Sequence, residues 1–104
     1  MTSDAKSLTL QQGDTAATYR LVGVMDFSSV VSMVDSLRPA LSSEAKVTVD
    51  LADIQRSNSA GLGLLLEWLK QARLLDCKLR FQNVPDNLLA IASICALDSI
   101  ISQE

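Results

Sequence analysis

Histidine is absent from this chain of 104 residues, cysteine occurs only twice, and no long hydrophobic run is present. The usual general base of Ser-His and Cys-His catalysis is therefore missing, which argues against hydrolases and transferases of those types. Cys77 and Cys95 are not closely spaced, so neither a zinc site nor a disulfide framework is predicted, and a reducing cytoplasm fits best. We expect no metal, no cofactor and no enzymatic activity.

Concentrated positive charge is also missing. The nine Lys and Arg residues are scattered through a chain with a net charge of -3, so no basic stripe follows a nucleic-acid backbone. The apolar runs are much shorter than the roughly 20 residues of a membrane-spanning helix. The N-terminus also lacks a basic region followed by an apolar one. We expect neither nucleic-acid binding nor direct insertion into a membrane.

Alternating strand and helix patterns fill one predicted domain over residues 1–104. The segment LTLQQGDTAATYRLVGV predicts a hairpin around its Gly13-Asp14 turn. The next segment, MDFSSVVSMVDSLRPAL, has apolar residues at helical spacing, with Asp26 or Ser28 as its cap. Pro39 is expected to kink or end that helix.

The second half of the chain continues this alternation. KVTVDL is predicted as a central strand, ADIQRSNS as a loop, and the next helix runs from about Ala60 to about Leu75. The strand KLRFQNV and the helix PDNLLAIASICAL follow, with Asn83 as the helix cap, and a last short strand is predicted near Ile100 and Ile101. The order predicts an α/β fold in which a mixed β-sheet of four to five strands carries a layer of three or more helices.

The segment SNSAGLGLLLEWL is compatible with a buried helix start, a phosphate-binding turn, a phosphorylation site or a docking surface. Its G-x-G lacks the third glycine of a dinucleotide-binding loop, and no P-loop pattern occurs, which argues against nucleotide binding. Ser59 is placed to cap the helix, and a phosphate on the same hydroxyl would be tolerated there, so both roles stay open. Gly61 and Gly63 lower helix propensity and predict a close backbone approach, within the fold or across an interface.

Apolar residues cover an unusually wide arc of this helix, with Leu64, Trp68 and Leu75 at one border. Burial between the sheet and a neighbouring helix is the simpler interpretation for Leu64 and Leu75. For Trp68, burial and a partner-facing position are equally supported, because a large aromatic side chain with one polar N–H suits an interface.

The segment VTVDLADIQRSNSAGLGLLLEWLKQAR resembles the centre of a STAS domain, the module of anti-sigma-factor antagonists. In that family a strand ending in Asp-Leu leads to a D-[ST]-[SG]-G-L-[GA] turn that opens a leucine-rich helix, and LVGVMDFSS resembles the usual entry to the first helix. The resemblance places Asn58 at the family's Asp and Ser59 at the Ser or Thr that is phosphorylated in sigma-regulating members, followed by Ala60, Gly61 and Leu62. Asn58 lacks the family's carboxylate, which argues against phosphorylation by a partner kinase.

Within the family, this short form is most similar to the STAS subunit of the Gram-negative ABC transporter that maintains outer-membrane lipid asymmetry. The similarity implies a non-catalytic cytoplasmic protein that binds the ATPase subunit of a phospholipid-transporting complex and associates with the inner membrane through that complex. The alternative is an anti-sigma factor antagonist that a partner kinase phosphorylates on Ser59. The expected partner-binding residues are Asn58, Ser59, Ala60, Gly61, Leu62, Leu64 and Trp68.

Overall fold

The structure is a computed structural model that describes residues 8–101. The described residues form an α/β fold of five strands and five helices, as the alternating patterns predicted. In chain order these elements are β1 (Leu8–Gln12), β2 (Thr18–Met25), α1 (Phe27–Val31), α2 (Arg38–Ser43), β3 (Lys46–Asp50), β4 (Ile54–Ser57), α3 (Ser59–Leu74), β5 (Lys78–Gln82), α4 (Asp86–Ile94) and α5 (Asp98–Ile101).

The sheet is organised around β2, which is paired along both of its edges. β1 runs antiparallel along one edge, which confirms the predicted hairpin. On the other edge, β3 pairs in parallel with Thr18–Arg20, and β4 pairs in parallel with Gly23–Met25. β5 lies beside β3, also in parallel, so the strand order is β1-β2-β3-β5. The sheet is therefore mixed, with β3 in a central position as predicted.

Alternation along β3 and β5 sends one set of side chains into the core. Val47, Val49, Leu79 and Phe81 are at most 5% exposed, whereas the intervening Arg80 is exposed. α3 packs against α1, α2 and α4 as well as against β5, so other elements enclose much of its surface. The burial of apolar area in this layer is the main contribution to folding.

The helix predicted over MDFSSVVSMVDSLRPAL is in fact two short helices, α1 and α2, separated by turns. Asp26 caps α1 in a capping box: its Oδ1 accepts the Ser29 N–H at 2.9 Å, and the Ser29 Oγ accepts the Asp26 N–H at 2.9 Å. Pro39 lies in the first turn of α2, where a missing N–H breaks no helical hydrogen bond, so it opens a helix rather than ending one. Between the two helices, the carbonyls of Met33 and Val34 accept hydrogen bonds from α3 side chains.

Three further predictions were wrong at short segments. The predicted loop ADIQRSNS contains β4. Asn83 does not cap α4; its φ is 56°, and its side-chain N–H donates to Asp50 Oδ1 at 2.9 Å. Ile100 and Ile101 lie in α5 rather than in a strand, and Ile101 is fully buried. β4 and α5 are too short for a hydrophobic period to identify them, and their conformation depends on pairing and packing with other elements.

Candidate functional site

α3 begins at Ser59, and the residue that caps it is Asn58. Asn58 has extended backbone angles, with φ -143° and ψ -166°, and its Oδ1 accepts the Ala60 N–H at 2.8 Å. The predicted capping role of Ser59 was wrong, because a cap lies just outside the helical geometry and Ser59 is already within the helix. The Ser59 side chain is exposed, and its hydroxyl has no hydrogen bond to any described residue. That hydroxyl is therefore accessible from solvent.

The starts of α1, α3 and α4 meet at the carboxyl ends of β2, β4 and β5. Ser57 is the parallel partner of Met25, and a helix begins two residues after each of them. Asn87, in the first turn of α4, donates its Nδ2–H to the Ser57 carbonyl at 2.8 Å, and its Oδ1 accepts the Ser57 hydroxyl at 3.0 Å. The carboxyl ends of parallel strands are the usual place for binding residues in open α/β sheets.

The two glycines near the start of α3 have different surroundings. A Cβ at Gly61 would lie 3.1 Å from both Sδ and Cε of Met25, so close packing inside the fold accounts for this glycine. Apart from its chain neighbours and the backbone of its own helix turns, a Cβ at Gly63 would meet no described atom within 4 Å, and Gly63 is exposed. Gly63 lies one turn after Ser59 on the same face of α3. The two residues therefore form an open strip with very little side-chain bulk.

The remaining predicted binding residues are buried. Gly61 is buried, and Ala60, Leu62 and Leu64 are 8%, 5% and 2% exposed. Trp68 is 0% exposed, and its Nε1–H donates to two carbonyl oxygens of the α1–α2 connection at 3.2 and 3.1 Å. A partner-facing position for Trp68 is therefore wrong. The wide apolar arc of α3 is explained by its packing on helices as well as on the sheet.

Two apolar side chains of the segment with helical spacing are exposed close to this site. Phe27 and Val31 are 70% and 72% exposed and lie four residues apart in α1. The buried side of this short helix is formed by Ser29 and Val30 instead. At the other end of α3, Leu75 is 37% exposed, so its predicted burial was also wrong. The sequence gives no sign that Phe27 is exposed, because its spacing fits a long helix and the short length of α1 is visible only in the structure.

Asp26 acts as a helix cap and Asp53 as an ion-pair partner. The Ser29 backbone N–H, followed by the Ser28 hydroxyl, donates to Asp26 and lowers the pKa of that carboxyl. Asp53 lies 3.4 Å from Arg20 in an exposed ion pair.

Within residues 8–101, no three His, Cys, Asp or Glu side chains are grouped as metal ligands. None of the helices in the same range has the length and hydrophobicity needed to cross a membrane.

The family of the chain follows from comparison with known proteins. The family model described as "Mlab, STAS domain" matches residues 8–102. The chain belongs to the STAS domain family. This STAS domain is similar to the anti-sigma factor antagonist SpoIIAA, solved in its unphosphorylated form, with a TM-score of 0.70 and 14% sequence identity. The match covers 91% of this chain and 85% of that chain, and at this identity it shows a shared fold. A comparison with curated protein sequences gave no match.

Proposed function

We propose that this STAS-domain protein is a non-catalytic subunit that binds the ATPase of a phospholipid-transporting ABC complex and supports outer-membrane lipid asymmetry. The family description, which carries the name Mlab, supports this subfamily. The observation that carries the proposal is the exposed Ser59 hydroxyl, which has no hydrogen bond to a described residue and lies beside the open Gly63 position. In this role the protein is cytoplasmic and is held at the inner membrane by the transporter.

The proposed docking surface consists of Phe27, Val31, Asn58, Ser59 and Gly63, all of which are exposed. The starts of α1 and α3 are adjacent, because Gly61 packs directly on the residue that ends β2. Ser59 and Gly63 allow a partner backbone to approach closely, while Phe27 offers a large aromatic group of the kind that dominates many interfaces. Exposed apolar area beside small polar residues is more consistent with protein binding than with catalysis.

Co-purification with the ATPase subunit tests this proposal directly. Replacing Ser59 with Trp places a bulky ring on the open strip, and we expect it to abolish co-purification without unfolding the protein. The matched control is Ser42→Trp, at an exposed serine in α2. If Ser59→Trp retained the ATPase as well as Ser42→Trp does, the docking surface would be wrong.

A second candidate function is an anti-sigma factor antagonist that is switched by phosphorylation of Ser59. The observation in its favour is the same exposed hydroxyl, which a kinase can reach, together with the fold shared with SpoIIAA. Asn58 argues against it, since Asn58 replaces the carboxylate of the phosphorylated family members.

Intact-mass measurement after incubation with candidate kinases and ATP separates the two functions. A switch predicts one added phosphate in the native chain and none in Ser59→Ala, whereas a constitutive docking subunit predicts no phosphate in either. Phosphorylation of Ser59 that releases a sigma-regulating partner would replace the transport proposal.

A further inference from the structure

A second surface lies on the later part of α3, away from Ser59. It is an open groove of about 820 Å³ between α3, β5 and α5. Leu66 and Leu69 of α3 line one side, and Ile100 of α5, which is 45% exposed, contributes apolar surface. Lys70 of this groove lies eleven residues after Ser59, which is roughly 16 Å along the helix axis. Its first α3 residue, Leu66, lies three residues after Gly63, roughly 4.5 Å along the axis, so the groove begins beside the proposed docking surface and extends away from Ser59.

Among the described residues, the charged side chains that line this groove have a single sign. Its lining includes Lys70, Arg73, Lys78 and Arg80, which are four of the nine Lys and Arg residues in the chain, and no Asp or Glu. None of these four side chains forms an ion pair with the described side chains of residues 8–101. The overall charge of the chain is -3, so this local concentration contrasts with the rest of the molecule. Clustered, uncompensated cations attract a negatively charged partner.

Acidic residues lie close to the groove without lining it: Glu67 and Asp76 are chain neighbours of the lining residues Leu66 and Cys77, and Glu44 lies near Cys77. Burial, followed by the charge of Glu44, raises the pKa of the Cys77 thiol, which does line the groove. Glu44 therefore acts on the Cys77 end of the groove, whereas the charged side chains that line the groove are Lys and Arg.

Among the strands of residues 8–101, β5 lies at an edge of the sheet, and the side of β5 that faces away from β3 borders this groove. The Lys78 N–H donates to the Ala45 carbonyl at 2.9 Å, and the Gln82 carbonyl accepts the Leu51 N–H at 2.9 Å. Backbone groups alternate in direction along a parallel strand, so the N–H and C=O groups of residues 79 and 81 point away from β3. An open edge of this kind is a template for an added strand.

We propose that this groove binds an extended acidic segment of a partner protein, which adds to β5 as a further strand. The peptide backbone pairs with residues 79 and 81. Its successive side chains point to opposite faces of the sheet, so carboxylates on one face meet Lys78 and Arg80, and apolar side chains on the other face contact Leu66, Leu69 and Ile100 beside Lys70 and Arg73. An acidic peptide matches both the charge of the groove and the open strand edge, whereas a lipid surface would use only the charge.

Selection from a random library of displayed twelve-residue peptides tests this proposal with the full chain as bait. We expect enriched peptides that alternate Asp or Glu with apolar residues. The best of them, made as a free peptide, should bind at least about tenfold more weakly to Arg73→Glu/Arg80→Glu. The control is Arg20→Glu/Arg38→Glu, which makes the same change in net charge outside the groove and should bind normally. Thermal unfolding checks that both variants remain folded.

Hydrogen exchange identifies the mode of binding. On addition of the free peptide, exchange at the Leu79 and Phe81 amides should slow, while the Lys78 amide, already bonded to Ala45, should change little.

The proposal is overturned if no peptide is enriched, or if groove and control variants bind the peptide equally. It is also overturned if vesicles containing phosphatidylglycerol bind the native chain but not Arg73→Glu/Arg80→Glu, with no peptide binding. Peptide binding by Ser59→Trp should match that of the native chain, so the outcome is independent of the ATPase proposal.

Discussion

The first turn of α3 and the middle of the same helix use their polar groups in opposite ways. In the first turn, Ser59 is exposed, and only Asn58 is engaged in capping. In the middle, Trp68 and Gln71 are 0% and 3% exposed, and their N–H groups donate to carbonyls of the α1–α2 connection. One helix therefore combines an open surface with an internal clamp, by which we mean the hydrogen bonds from Trp68 and Gln71 to the α1–α2 connection. The sequence left the position of Trp68 open, and the structure shows that it is buried while the small polar residue Ser59 is exposed.

The largest effect is expected from breaking the clamp. Trp68→Ala should lower the free energy of unfolding by about 3–5 kcal/mol, because it leaves a cavity and two carbonyls without their indole donor. Trp68→Phe keeps most of the packing and should cost about 1–3 kcal/mol. Urea denaturation of both variants measures this. A loss below about 0.5 kcal/mol in both would mean that Trp68 is not a structural clamp.

A matched pair of glycine variants compares the buried and open faces of the helix start. Gly61→Ala should destabilise the protein by about 1–2 kcal/mol, because the new methyl group crowds the buried Met25. Gly63→Ala should stabilise it by up to about 1 kcal/mol, because alanine favours helix and meets open space. Thermal unfolding distinguishes the two. Equal shifts of the same sign would contradict this description of their surroundings.

Asn58, which caps α3, and its neighbour Ser59 form a second pair of positions, with a smaller expected difference in the free energy of unfolding. Asn58→Ala removes the acceptor for the Ala60 N–H and should cost about 1 kcal/mol. Ser59→Ala removes a hydroxyl that has no described partner and should change the free energy of unfolding by less than about 0.5 kcal/mol. Chemical denaturation under the same conditions checks both, and a larger loss in Ser59→Ala would restore Ser59 as the cap.

The smallest expected effect is a pH dependence of the free energy of unfolding, caused by Asp26, which caps the neighbouring helix α1. Its pKa in the folded protein lies below the ordinary value of 3.8, so the ionised carboxylate stabilises the fold above that value. This stabilisation is lost as the pH falls through the lowered pKa. Asp26→Asn should therefore show a weaker loss of stability between pH 5 and pH 2 than the native chain. Parallel pH profiles of the two proteins would contradict a charged cap at α1.

The sequence predicts those elements that neighbouring residues determine, and it misses features that depend on residues distant in the chain. The strands containing Val47 and Leu79 and the long helix α3 were predicted because their apolar residues repeat with the period of the element. The break between α1 and α2 was missed, because it depends on donors supplied by Trp68 and Gln71, more than thirty residues away. The exposure of Phe27 was not predicted, because the spacing indicated one long helix where the structure has the short α1. At the candidate site, the motif indicated where α3 begins, but only the structure separated exposed Ser59 from its buried neighbours.

The central claim is that the open first turn, rather than the buried middle of α3, binds the ATPase subunit. The most direct test is the dissociation constant for the purified ATPase, measured for native protein, Ser59→Trp, Ser42→Trp and Trp68→Phe. We predict at least a tenfold weakening, about 1.4 kcal/mol, for Ser59→Trp alone, with Trp68→Phe less stable but binding normally. Native affinity in Ser59→Trp together with weakened binding in Trp68→Phe would contradict the account.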